Sequence, residues 1–183
     1  LSKFSDQFEL TKYTRGTKIN IKEDIVIHLA GKAHDLKNVS DQSDYYFANT
    51  ELTKEVIDAF LASDAKVFIT LSSVKAVADT LESELTENHL PYPFTHYGKS
   101  KLLAEQYILS KSIPEGKRVY ILRPCMIHGP GNKGNLNLLY KIVSKGFPWP
   151  LGAFENKRSF CSIDNLCFCI NELIKNDTIP SGI

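Results

Sequence analysis

Apolar residues gather in three short continuous runs along the chain, at residues 24–30 (DIVIHLA), 66–72 (KVFITLS) and 118–123 (RVYILR). Each is rich in β-branched residues and lacks the alternation of a half-exposed strand. Each is therefore expected as a strand buried on both faces, the habit of a parallel sheet. Between the first two runs, residues 44–62 carry Leu52, Val56, Ala59 and Phe60 at helical spacing. Between the second and third, a helix opened by Tyr97 presents Leu103, Ala104, Tyr107 and Ile108 as its apolar stripe. Strand, helix, strand, helix, strand predicts an α/β fold built on a doubly wound parallel sheet. Beyond Arg123 the pattern changes. Residues 123–135 (RPCMIHGPGNKGN) are dense in Gly, Pro and Asn and are expected as a loop. A helix over 136–145, a proline-interrupted stretch (GFPWPLGAFENKRSF) and a helix over 163–175 come next, the start of a smaller, loop-rich lobe.

Composition narrows the partners. The chain has 183 residues, 43% hydrophobic, enough for one globular domain and part of a second. Lys and Arg total 22 against 21 Asp and Glu, with both signs scattered, so neither nucleic acid nor a membrane is expected as a partner. A small molecule is. No apolar run approaches the roughly 18 residues of a membrane span, and the first residues lack the basic-then-apolar pattern of a secretory leader, which makes the cytoplasm the expected compartment. Cys125, Cys161, Cys167 and Cys169 form no CxxC pair and are expected as buried reduced thiols. His28, His34, His89, His96 and His128 show no HxxxH or HxH spacing, so no metal site is expected. His28, at a strand end, is expected as a packed core residue.

The chemistry concentrates around THYGKSKLLAE, residues 95–105. Tyr97 and Lys101 are four apart and share one helix face. In a doubly wound sheet, ligands bind beyond the carboxyl ends of the strands. Here those ends read Leu29-Ala30-Gly31, Leu71-Ser72-Ser73 and Arg123-Pro124. Small residues at the first two let a flat cofactor approach the backbone, and Ser73 and Tyr97 meet over the crevice with Lys101 one turn on. A tyrosine titrates near pH 10, so service as a base at neutral pH needs a shift of about 3 units, worth roughly 4 kcal/mol. A nearby ammonium favours the phenolate. With a serine hydroxyl bridging phenol and substrate, the three make a device for moving a proton to or from an alcohol while hydride leaves or joins its carbon. Tyr-x-x-x-Lys alone is weak; joined to the HLA end, the Ser-Ser end and the Arg-Pro end it is specific.

On the phrases IVIHLAG, YYFANTELTKEVIDAF, FITLSSVKAV, YGKSKLLAEQY, ILRPCMIHGPGNKGN and PLGAFENKRSFCSIDNLC, the chain resembles the extended short-chain dehydrogenase/reductase family. Within it the likeness is to NAD-dependent nucleotide-sugar epimerases and reductases of the UDP-glucose 4-epimerase kind. The resemblance implies a Rossmann-like sheet lacking its first strands, with residues 1–134 a partial dinucleotide-binding domain and 135–183 a partial substrate lobe. It implies Tyr97 as acid/base, Lys101 as the residue that binds the nicotinamide ribose and tunes Tyr97, and Ser73 as the residue that aligns the sugar hydroxyl. Leu29, Ala30, Gly31, Asn49, Leu71, Pro124 and Ile127 are implied around the cofactor, and Asn135 and Arg158 on the substrate diphosphate, to which a guanidinium fork is suited. Asn49 as a clamp on neighbouring backbone, and Arg158 and Lys133 as solvated loop charges, are the plainer alternatives. The cofactor implied is NAD, with NADP as the alternative; the partner is a UDP-sugar, and a homodimer is left open.

Two departures matter. No Gly-x-x-Gly-x-x-Gly turn precedes Asp24, which makes an internal fragment of a longer protein the expectation. Val74 and Lys75 stand where the family's 4,6-dehydratases carry an Asp-Glu pair, which argues against dehydration, and Met126 replaces an asparagine common in epimerases. The expected activity is C4 epimerisation of a UDP-hexose or UDP-N-acetylhexosamine through a 4-keto intermediate, in surface-polysaccharide or sugar-nucleotide synthesis. The alternatives are an NADPH-dependent 4-keto-sugar reductase and, from another class, a non-catalytic sensor or scaffold.

Overall fold

Strands β1 (Ile25–His28), β2 (Val67–Leu71) and β3 (Arg118–Leu122) form a parallel sheet in the order β1-β2-β3, with Ile25 paired to Val67 and Val67 to Arg118. The computed structural model describes residues 4–14, 16–33, 41–81, 84–130, 135–146 and 157–183. Because successive side chains alternate across a strand, each strand feeds two cores. On one face Phe68, Val119 and Ile121 pack with Ile57, Phe60 and Ile108 from the helices between the strands; on the other, Val67, Ile69 and Tyr120 pack with Phe4, Leu166, Ile170 and Leu173. Helices thus cover both faces, as the three unbroken apolar runs require.

The helix expected over 44–62 is three pieces in line: α1 (Gln42–Tyr46), a π-helical turn (Phe47–Glu51) and α2 (Leu52–Leu61). Its buried line runs through Thr53, Ile57 and Phe60, so of the predicted stripe Phe60 is enclosed while Leu52, Val56 and Ala59 are half-buried at its edge. A 3-10 turn (Val74–Ala76) comes after β2, and α3 spans His96–Leu109. Helix α3 also departs from its predicted stripe: Ala104 and Ile108 are buried, but Leu103 is 44% exposed, and Ser100, Lys101 and Glu105 take the inner face. The expected loop after Arg123 contains β4 (Met126–His128), paired in parallel with β5 (Phe160–Ser162). Three-residue strands are too short to show a period. Helices α4 (Asn135–Val143) and α5 (Ile163–Lys175) complete the elements. Helix α5 supplies Leu166, Ile170 and Leu173 to the core on one face of the sheet. The cysteines are free but less enclosed than expected: Cys125, Cys161 and Cys167 are half-buried and Cys169 is exposed.

Two neighbouring residues at the start of β3 fasten the layers. Lys117 Nζ donates to the carbonyls of Phe60 (3.1 Å), Ser63 (2.7 Å) and Ala65 (2.6 Å) at and beyond the end of α2. Arg118, pointing to the other face, donates to Leu173 (3.0 Å), Asn176 (2.7 Å) and Ile174 (3.2 Å) at the end of α5. Carbonyls left unpaired at helix ends find cations this way. Helix α3 is fastened at its start. Thr95 Oγ1 accepts from the Gly98 amide (3.1 Å), while Asp79 accepts from the amides of Phe94 (2.7 Å) and Thr95 (2.9 Å) and from Thr95 Oγ1 (2.8 Å). A Cβ on Gly98 would lie 2.4 Å from the Lys75 carbonyl oxygen, so glycine is what lets α3 approach the turn after β2.

Both fastenings can be loosened one at a time. Lys117→Met should lower the stability of the fold by about 1–3 kcal/mol, read as a lower urea midpoint at unchanged slope; an unmoved midpoint would show that water replaces the ammonium without loss. Burial would raise the Asp79 carboxyl, but the hydrogen bonds from Thr95 and Phe94 and the charge of Lys75 hold it below the usual carboxylate range. A depressed carboxyl stabilises fully above its unfolded value of about 4 and loses that contribution as pH falls through the folded value. Asp79→Asn should therefore cost stability at pH 7 and progressively less below pH 4; a gap independent of pH would refute the assignment.

Candidate active site

The parallel register brings the ends of β1, β2 and β3 to one level, and α3 crosses above them. After β1, Leu29, Ala30 and Gly31 are exposed, and a Cβ built on Gly31 would meet Asn49 Oδ1 at 2.8 Å and Lys101 Nζ at 3.2 Å. After β2, the Leu71 carbonyl accepts from Lys101 Nζ at 2.8 Å. Ser73, whose hydroxyl accepts from the Lys75 amide (3.2 Å), stands beside the Tyr97 phenol and favours its ionisation. After β3, the Pro124 carbonyl accepts from the Val74 amide at 3.3 Å, which ties this loop to the Ser73 turn. Of the residues singled out from sequence, Gly31, Asn49, Leu71, Ser73, Tyr97 and Lys101 are thus joined in one cluster, with Pro124 against its edge. Ile127, in β4, packs into the core beneath α5. Arg158 is exposed just before β5, outside that cluster, and Asn135 is the first residue of α4. Lys133 and His34 lie outside the described residues.

Burial dominates the electrostatics. It pushes the Tyr97 phenol above its ordinary value, and the Ser73 hydroxyl opposes it. It lowers Lys101 to about 8, with the Glu105 charge acting the other way. His28, 6% exposed and bonded to Thr53 Oγ1 at 3.0 Å, is lowered to about 4 by burial and then by Lys101, so it is neutral at pH 7 and serves as a packed core residue. The expected depression of Tyr97 by Lys101 is not found here. The ammonium is aimed at the Leu71 carbonyl, and desolvation of the phenol outweighs it.

Asn49 works with several contributors that sequence reasoning did not reach. Asn49, fully buried, accepts from the Lys32 amide (2.8 Å), donates to the Lys32 carbonyl (2.9 Å) and donates to Ser100 Oγ (3.0 Å). Ser100 Oγ in turn donates to the Tyr97 carbonyl (2.8 Å), and the Ser100 carbonyl accepts from Thr50 Oγ1 (2.8 Å). Asn49 is therefore a clamp between the segment after β1 and α3, the plainer of its two readings. Arg123, which the sequence marks only as part of a strand end, grips Glu105 with Nε at 3.0 Å and Nη2 at 2.6 Å. The spacing Tyr97, Ser100, Lys101, Glu105 was the available signal, since all four lie on one helix face. Among the described residues no group of three or more His, Cys, Asp or Glu could hold a metal, and no helix is long and apolar enough to cross a membrane.

Comparison with known proteins places the chain among related sequences and folds. The chain is 36% identical over 149 residues to a UDP-glucose 4-epimerase of Vibrio cholerae, covering 78% of this chain and 45% of that protein. It is 35% identical over 155 residues to N-acetyl-alpha-D-glucosaminyl-diphospho-ditrans,octacis-undecaprenol 4-epimerase of Escherichia coli O157:H7, covering 84% and 46%. The chain therefore spans under half the length of these two relatives. Among solved structures, UDP-N-acetylglucosamine 4-epimerase from Bacillus cereus superposes with a TM-score of 0.71 at 24% identity, over 87% of this chain and 54% of that one, which bears on the fold. The sequence profile of one family matches residues 5–182, nearly the whole chain. By that match, this chain belongs to the NAD dependent epimerase/dehydratase family.

Proposed function

We propose that the protein is an NAD-dependent epimerase acting at C4 of a UDP-hexose or UDP-N-acetylhexosamine, in the synthesis of sugar nucleotides or surface polysaccharide. The observation that carries this reading is the gathering of Ser73, Tyr97 and Lys101 beside a strand end whose Leu29, Ala30 and Gly31 are exposed. The two relatives named 4-epimerases support it. The residues present fit a dinucleotide: Leu29, Ala30 and Gly31 are exposed after β1, and Lys101, close against Gly31, carries spare donors toward a ribose. NAD, when bound, would supply the hydride acceptor and a positive ring that favours the Tyr97 phenolate.

The chain's own residues handle the proton. Tyr97 takes the proton from the C4 hydroxyl oxygen as the alcohol is oxidised and returns it to the same oxygen on reduction, so no net proton is exchanged. Ser73, donating to the phenol oxygen, holds the sugar oxygen in line. Lys101, cationic on most copies at pH 7, stabilises the phenolate while it exists. Arg158, free to swing from its exposed position, is assigned with Asn135 to the diphosphate.

Tyr97→Phe should lower turnover about 10²–10⁴-fold with the fold unchanged by circular dichroism. Activity near wild type would remove Tyr97 from the mechanism. In the same assay, C4 inversion of UDP-N-acetylglucosamine with no net consumption of nicotinamide marks an epimerase. NADPH consumed only with a 4-keto sugar marks a reductase and overturns the proposal.

A further inference from the structure

Glu105 is 1% exposed, one of the most enclosed side chains of the protein, and it is acidic. A buried carboxylate is costly unless it is paired and hydrogen-bonded. Its partner is Arg123, which donates from Nε to both oxygens (3.0 and 3.2 Å) and from Nη2 to one (2.6 Å). The pair joins α3 to the end of β3 and could be no more than a bolt between them. Its place in the helix indicates something further. Glu105 lies one turn beyond Lys101 on the same face, and Lys101, 8% exposed, has its ammonium on a neutral carbonyl, that of Leu71.

The charged and titratable groups facing Lys101 are few among the described residues. From α3 itself come Tyr97 and Glu105. From β1 comes His28, which is neutral at pH 7. The end of β2 offers the uncharged Leu71 carbonyl, and the end of β3 offers Arg123, paired with Glu105 at 2.6 Å. Lys32, beyond Gly31, is paired with Asp44 at 2.7 Å. Of these groups facing Lys101 among the described residues, Glu105 is the acidic side chain.

We propose that the Glu105–Arg123 pair positions and charges Lys101: the Glu105 carboxylate is the counter-charge that keeps the buried ammonium protonated, and Arg123 holds that carboxylate in place. Neither residue reaches the reacting atoms, so both act through Lys101. The catalytic meaning of this role rests on the function proposed above; the electrostatic role does not. Removing Glu105 alone leaves Arg123 as an uncompensated cation near Lys101, whereas removing both charges leaves Lys101 with burial alone. The acidity of Lys101 should therefore rank wild type weakest, Glu105→Gln/Arg123→Met next and Glu105→Gln strongest.

The test is a pH titration of Lys101 by NMR in the full chain carrying isotope-labelled lysine, its resonance assigned by loss in Lys101→Arg. The Glu105→Gln variant should titrate about one pH unit below wild type, the size expected of a unit charge one helical turn away, and the double variant should fall between. If Glu105→Gln does not fold, the double variant, whose site carries no buried charge pair, decides the matter by titrating below wild type. Folded variants with Lys101 unmoved would overturn the proposal and leave the pair a structural bolt. A shifted Lys101 in a protein that converts no UDP-sugar would leave this role standing and remove the reaction assigned to it.

Discussion

Helix α3 turns a polar face to the sheet, and each group on that face must find a partner before the helix can dock. Ser100, Lys101 and Glu105 are all buried. A buried donor or acceptor left unpaired costs about 1–3 kcal/mol, and an unpaired charge costs more. Their partners come from three separate places: Asn49 behind the end of β1, the Leu71 carbonyl at the end of β2, and Arg123 at the end of β3. The helix can satisfy all three only when the strand ends stand at one level, which the parallel register provides. Placement of Tyr97 and Lys101 over the crevice is therefore a consequence of docking, and a slip of one residue would strand several polar groups at once.

The π-helical turn at Phe47–Glu51 belongs to the same solution. An inserted residue in a helix is unfavourable by itself and persists where something holds it. Here the turn buries Ala48, Asn49 and Thr50, and both polar members are engaged with other elements. Asn49 grips the Lys32 backbone on both sides, amide and carbonyl, while Thr50 reaches the Ser100 carbonyl. Thr53, one turn on, links the Asn49 carbonyl to His28. The segment after β1 is thus held from behind by side chains, which leaves the front of Leu29, Ala30 and Gly31 open. Binding and structural readings of Asn49 are compatible on these terms: it contributes to a ligand surface by fixing the backbone that forms it.

Legibility in the sequence depends on length scale. The three strands are legible because residues buried on both faces leave unbroken apolar runs. Ser73, Tyr97 and Lys101 are legible because strand ends and helix spacing fix where side chains point. Strands β4 and β5 are not, since three residues carry no period. Hydrophobicity finds only part of the inner face of α3, Ala104 and Ile108, because the rest of that face is closed by hydrogen bonds and an ion pair. Arg123 and Glu105 are 18 positions apart, and nothing local announces that they meet. The role of α5 is hidden for a related reason: its apolar stripe is visible, but which surface receives it depends on Val67, Ile69 and Tyr120, far away in the chain.

Burial acts on Tyr97 and Lys101 in the same sense, disfavouring charge on each, so the phenol is held protonated and the lysine is brought nearer to neutrality. A free phenolate would be strongly unfavourable in such a place, and the protein does not maintain one. It maintains instead the groups that would stabilise a phenolate when one forms: the Ser73 hydroxyl beside the phenol, and an ammonium one turn away whose charge depends on the carboxylate behind it. Any cation arriving in front of Tyr97 would add to both. Ionisation of Tyr97 is thereby tied to occupancy of the crevice, because the charge that completes the balance is the one the chain itself does not carry. An open strand end, a desolvated phenol and a lysine with a single carbonyl partner are three aspects of that one arrangement.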